Sequence, residues 1–175
     1  MSWKIDTAHT QIQFSVRHMM ISKVRGNFEK YSGKIDLDEK NPAATSLDVQ
    51  IETSSVNTRE SKRDAHLRSA DFFNSEAFPY MNFKSKRVEV HDGNRAKLIG
   101  DLTIRDITHE VAMDVEFIGK AKSPWGATNA GFSAVTKINR KDWDLGWNKA
   151  LESGGVLVGE EVEISIDLEI VDQPV

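Results

Sequence analysis

The sequence predicts an all-β protein, an antiparallel barrel of eight strands with one short helix between them. Three observations carry this expectation: eight stretches alternate apolar and polar residues, one short stretch reads as helix, and no linker or repeat divides the array. In the last stretch Val162, Ile164, Ile166, Leu168 and Ile170 separate completely from Glu161, Glu163, Ser165, Asp167 and Glu169. That is the pattern of a strand with one dry and one wet face. A sheet of so many one-faced strands must curl. Closing it removes exposed edges and leaves an apolar interior, just wide enough at eight strands to be packed solid or to hold one small ligand.

The strands are expected over 11–19 (with 3–6 as a lead-in), 24–37, 46–56, 81–90, 95–104, 107–120, 128–139 and 160–171. Turn-like stretches punctuate them: Asn41-Pro42, His91-Asp92-Gly93-Asn94, Ser123-Pro124-Trp125-Gly126 and Ser153-Gly154-Gly155. The helix is expected near 58–70, with Asn57 accepting at its N-cap and Glu60 three residues on, as in a capping box. Arg59, Glu60, Lys62, Arg63, Asp64 and Arg68 make it highly charged, and Ala65, Leu67 and Ala70 give it little to bury. Such a helix suits a barrel end or an open seam better than a core.

At 175 residues the chain fits a single domain, 1–175, able to bury roughly two thirds of its unfolded surface without staples. It has no cysteine, which excludes disulfides and thiol catalysis. A net charge of −4, with both signs interspersed, gives no general attraction for nucleic acid or an anionic membrane. The first residues lack a basic-then-apolar leader pattern, so a cytoplasmic location is expected, or a periplasmic one if a leader was removed. No integral membrane span is expected, and the strands lack the paired aromatic girdles of an outer-membrane barrel.

Searching for chemistry returns mostly negatives. His109-Glu110 opens like a zinc-protease helix, but Met113 stands where the second histidine is required, in a stretch that alternates as a strand. Nucleophile-elbow, phosphate-loop and dinucleotide motifs are absent, and His9, His18, His66, His91 and His109 form no close pair of ligand spacing. No cofactor or metal is expected. One enzymatic reading stays open, with His9 or His18 and Asp6 as acid and base, because Asp6 and His9 stand three apart.

Three segments say more. Ile12, Phe14, Val16 and His18 share one face, so a histidine ends an inward apolar row; it is either a strand-end histidine or a polar donor at one end of a greasy tube. Leu67 leads from the charged helix toward Phe72-Phe73, which fill a core or touch a ligand equally well. Trp143 and Trp147 lie among charges after a strand ends, where they line a barrel mouth or plug an empty barrel. Inward rows such as Val111, Met113, Val115, Phe117 and Phe132, Ala134, Ile138 contain no carboxylate and histidine together, as in an interior built to desolvate hydrocarbon. The expected apolar lining is Phe14, Val16, Phe28, Leu67, Phe72, Phe83, Leu102, Val115, Phe132, Ile138 and Trp143. An anionic head group would be held at one end by His18, Arg17 or Arg140. A packed barrel acting only by binding other proteins is the remaining rival.

The same segments carry a resemblance. Trp3-x-Ile5-Asp6-x-x-His9, Phe14-x-Val16-x-His18, His66-Leu67-Arg68-Ser69-x-Asp71-Phe72-Phe73, Leu102-Thr103-Ile104-x-x-Ile107-Thr108 and Ile138-Asn139-Arg140-x-Asp142-Trp143 closely resemble the YceI-like family, from Trp3 to about Ile170. The resemblance implies an extended lipocalin-like barrel that binds a long polyisoprenoid or related lipid, such as a prenyl pyrophosphate or a quinone tail. It also implies a homodimer. Where the family usually has glycine, this chain has Asp106 and Asp144; aspartate tolerates positive φ better than most residues, so both turns are expected to survive. Their carboxylates are expected to alter the polarity of one barrel end.

Overall fold

A computed structural model describes residues 3–172. Eleven strands form one sheet: β1 (Trp3–Ile5), β2 (Gln11–His18), β3 (Ser22–Phe28), β4 (Tyr31–Asp36), β5 (Ser46–Glu52), β6 (Val56–Asn57), β7 (Tyr80–Val90), β8 (Arg95–Ile104), β9 (Ile107–Lys122), β10 (Thr128–Asn139) and β11 (Val158–Asp172). The helix α1 (Ser61–Arg68) lies between β6 and β7.

The sheet closes. β11 pairs with β10 on one edge, and on the other with β2 through Val162–Asp167 and with β1 through Ile170–Asp172. β1 meets β4 at Trp3 and Ile35, and β4 runs on through β5, β7, β8 and β9 to β10, every pairing antiparallel. β1 with β2 and β3 with β4 each follow one strand path interrupted once, so the wall is an eight-stranded antiparallel barrel. β11, at 15 residues, is about 50 Å along its length. At the tilt of a closed barrel this is about 38 Å along the axis.

The interruptions follow changes of phase in the sequence. Inward residues are Trp3 and Ile5 on β1 but Ile12, Phe14 and Val16 on β2, odd numbers giving way to even across 6–10. The expected single strand over 24–37 is corrected in the same way: Val24 and Phe28 are even, Tyr31 and Ile35 odd, and the chain breaks at Glu29 and Lys30 to keep both sets inside. There Glu29 N donates to Ser55 O and Glu52 N to Lys30 O, so the broken ladder is stitched to neighbouring segments. In β7 the inward set passes from Met81 and Phe83 to Val88 and Val90 through a register shift between Ser85 and Arg87.

The helix is shorter than 58–70 and differently capped. Glu60 is the N-cap, its carboxylate accepting from Lys62 N at 3.2 Å and Arg63 N at 2.6 Å. Buried Asp64 binds Thr58 through its backbone N at 2.8 Å and its hydroxyl at 2.5 Å, and Arg59 takes φ 65°, so the chain before Glu60 cannot be helical. Asn57 Oδ1 accepts instead from Arg59 N, closing a turn. α1 stands at one end of the barrel, in an open seam of its wall. β3 has no strand partner on its outer edge over 22–26, and Thr58 stands there: a β-carbon on Gly26 would come 2.8 Å from Thr58 Cγ2. Leu67 and Phe73 pack into the core from this side, with the Phe73 ring 5.7 Å from Phe28. The helix therefore fills a seam in the wall.

Candidate functional site: an apolar tunnel with two polar ends

Because the inward rows stay in register from strand to strand, their side chains enclose one cavity of about 830 Å³. This lies in the upper part of the range for sites that engulf a small molecule, and it contradicts the packed-barrel reading. Val16 faces Val162 and Val24 across its two ladders, and Phe14 faces Ile164. Phe14, Val16, Phe28, Phe83, Leu102, Val115, Phe132 and Ile138 all line the cavity from the strands, and Leu67 and Phe72 line it from the seam. The Phe14 and Phe28 rings meet at 5.5 Å, and Phe117 and Phe132 at 5.3 Å.

Trp143 is the exception among the expected lining residues. It does not line the cavity. The β9–β10 ladder ends at Asp114 and Val135, beyond which Thr136 Oγ1 still donates to Ala112 O at 2.8 Å. The single turn Arg140–Trp143 is set against this divergence. Trp143, 2% exposed, donates its indole N–H to Leu102 O at 2.9 Å and stacks edge-on against His109 at 5.2 Å. It is a wedge in the wall. Trp147, four residues on, is the tryptophan at the mouth, with its ring 4.5 Å from His66 and 5.6 Å from Phe72.

The two ends differ in charge. At the α1 end the cavity meets Arg17, His18, Lys62, Arg63, His66 and Arg140 and no carboxylate; at the opposite end it meets Asp38, Glu39, Arg95 and Lys120. Glu39 and Lys120 bridge that far end at 2.6 Å. Of the three expected polar residues, His18 ends the inward row of β2 and Arg17 is exposed at the rim. Arg140 is 3% exposed, and its guanidinium is committed to backbone carbonyls: Nε to Gly159 O at 2.7 Å, Nη1 to Leu145 O and Trp147 O, and Nη2 to Val158 O at 3.3 Å. Burial pulls it below its ordinary value, partly offset by Glu160. Arg140 thus clamps the loop that follows β10, with four of its five N–H donors on backbone carbonyls.

Sequence reasoning did not assign Lys62, Arg63 or His66 to the mouth, whereas Trp147 takes the mouth position that was one of its two expected places. Lys62 and Arg63 read as part of a solvated charge run, and no periodicity on α1 points them anywhere. His66 holds Asp71 at 2.8 Å, a pairing five residues apart that the H-L-R-S-x-D spacing does contain. Asp106 and Asp144 adopt φ 60° and 61°, so both turns form with aspartate, but neither lines the cavity.

The expected acid–base pair is half present. His9 Nδ1 lies 2.8 Å from Asp6 Oδ2, whose hydrogen bond raises the imidazole above its ordinary value, while His18 stands at the other end of β2. Glu169 completes a group whose donor atoms lie within 4.8 Å of one another, the arrangement among the described residues most able to hold a metal. Asp6 is already engaged there, accepting from Ala8 N as well as His9, and the trio closes the break between β1 and β2. None of the three lines the cavity.

A closed eight-stranded antiparallel barrel around one apolar tunnel defines a lipocalin-like protein. The YceI-like domain model matches residues 3–170, and the chain belongs to that family. A Staphylococcus aureus protein of the UPF0312 group is 36% identical over 169 residues, covering 96% of each chain. The solved Campylobacter jejuni YCEI protein is 35% identical, with a TM-score of 0.77 over 97% of this chain and 96% of its own. Two further structures are similar in fold at lower identity. Burkholderia cenocepacia BcnA has a TM-score of 0.83 at 21%, covering 94% of this chain and 98% of its own. A polyisoprenoid binding domain from Saccharophagus degradans has 0.70 at 13%, covering 99% of each.

Proposed function

We propose that this protein binds a long-chain polyisoprenoid or related lipid, a prenyl pyrophosphate or a quinone tail, and carries, stores or senses it without chemical change. The observation that supports this best is the tunnel itself, apolar along the barrel and cationic without a carboxylate where it meets α1. Burial of hydrocarbon supplies the affinity, up to about 0.8 kcal/mol for each CH₂. His18, with Arg17, Lys62 and Arg63 near it, selects an anionic head by charge-assisted hydrogen bonds. The fold-level likeness to a polyisoprenoid binding domain agrees with a chain of that kind. Asp6 and His9 lie away from the cavity, which favours binding over acid–base catalysis. Mass measurement of the purified, undenatured protein tests the reading. A bound mass that extracts into organic solvent supports it, and a ligand-free barrel that ignores added prenyl pyrophosphate refutes it.

A further inference from the structure

Three consecutive large apolar residues stand in water at the α1 end of the barrel. In the loop between β2 and β3, Met19 is 42% exposed, Met20 58% and Ile21 82%. The neighbouring loop adds Val156 at 38% and braces the tip: Met19 N donates to Leu157 O at 2.8 Å, and Met20 Sδ occupies the space a β-carbon on Gly155 would take. The backbone here is strained. Met19 and Met20 take φ 52° and 64°, the left-handed region that hairpins ordinarily give to glycine or asparagine. A loop shaped only for folding has no use for methionine at either position, and strain of this kind concentrates where side chains serve a function.

The tip stands at the lip of the tunnel, because His18 before it and Leu157 beside it both line the cavity. The whole-chain charge of −4 hides a local separation. Around the lip Arg17, Lys62, Arg63 and Lys149 have no carboxylate partner among the described residues. Of the acids at this end, Glu163 is held by Lys23, Glu160 by Lys141 and Asp71 by His66; Glu60 caps α1, Asp106, Asp142 and Asp144 lie in the turns across the mouth, and Glu152 lies in the loop beside the tip. We propose that this lip docks on an anionic lipid bilayer, with Met19, Met20 and Ile21 entering the headgroup boundary and the exposed Arg17, Lys62 and Lys149 facing lipid phosphates, while Arg63 stays on Thr58. A hydrocarbon chain then passes between bilayer and tunnel without crossing water. The surface is argued from its own geometry, and only this purpose rests on the lipid reading of the cavity.

Co-sedimentation with phosphatidylcholine vesicles, with and without phosphatidylglycerol, tests the docking; titration with soluble farnesyl pyrophosphate tests the cavity in parallel. Wild type should pellet with vesicles, more strongly with phosphatidylglycerol and less at high salt. The double variant Met20→Ser, Ile21→Ser should lose roughly a hundredfold in partitioning, the effect of two apolar side chains no longer buried. Neither residue lines the tunnel, so farnesyl pyrophosphate binding should be equal in both proteins. A Met20→Asn, Ile21→Asn pair, with asparagine at the left-handed position 20, guards against misfolding. Vesicle binding that is absent in wild type, or unchanged in both variants, overturns the proposal. So does a variant that only turns a dimer into a monomer, which would assign the tip to a second copy of the chain. Vesicle binding lost in the variants while neither wild type nor variant takes farnesyl pyrophosphate upholds the docking and refutes the cavity reading.

Discussion

The indole of Trp143 donates to the carbonyl of Leu102 at 2.9 Å, while the side chain of Leu102 lines the tunnel. One residue is a strut behind the wall and the other is the wall's inner surface, joined through a backbone group. Trp143→Phe keeps most of the wedge and loses the hydrogen bond, so it should cost about 1–2 kcal/mol of stability by urea unfolding. Trp143→Ala empties the wedge and should cost about 3–5 kcal/mol. Trp143→Phe should leave prenyl affinity within twofold, whereas an affinity loss without a stability loss would return Trp143 to the lining.

Arg140 satisfies four carbonyls from a nearly sealed position, so its removal takes a donor from each, with Val158 O alone keeping a second side-chain donor, the Asn148 amide at 2.7 Å. Arg140→Met should destabilise by about 3 kcal/mol or more, because buried acceptors lose their donor. Arg140→Lys should recover only part of this, since one ammonium cannot span the fork. A stable Arg140→Met protein with weakened binding of anionic ligands would instead make Arg140 a head-group residue.

Asp6 raises the His9 imidazole, so the pairing stabilises the fold while His9 is protonated in the native state. That contribution is fully present below the ordinary value of 6.5 and is lost as pH rises through the higher native value. Denaturant midpoints of wild type and His9→Gln should therefore differ in mild acid and converge in mild alkali. A gap that is constant with pH would remove the charged pair from the account.

His18 ends the inward row of β2 at the mouth. His18→Ala should weaken a prenyl pyrophosphate by about 1–3 kcal/mol, the value of one or two charge-assisted hydrogen bonds. It should leave an uncharged prenyl alcohol almost unaffected, a contrast that calorimetry resolves.

The barrel was legible because one-faced strands have few alternatives, and β8 and β10 run over the residues that alternation predicts. The breaks were also present, as the odd and even phases of Ile5 against Ile12 and Phe28 against Tyr31; the first agrees with the separate lead-in over 3–6, but reading 24–37 as one strand overlooked the second. The helix was legible as polar and as set against an end or an open seam; which strand leaves the seam was not, because that depends on β3 lacking a strand partner over 22–26. Spacing could not separate Trp143 from Trp147: only the divergence of β9 from β10 sends one into the wall and leaves the other at the mouth. Pairings such as Glu39 with Lys120 join segments 81 residues apart, and no local pattern records them.

The central claim is that the tunnel grips a hydrocarbon chain along its length. Titrating wild type and Val16→Trp with prenyl pyrophosphates of increasing length tests it most directly, since Val16 points into the tunnel and about 830 Å³ is available to receive the ring. Wild-type affinity should rise with every added isoprene unit until the tunnel is full, and Val16→Trp should bind short chains while nearly losing long ones. Affinity that ignores chain length in wild type and survives Val16→Trp, yet collapses in His18→Ala, would contradict the claim and place the recognition in the head group.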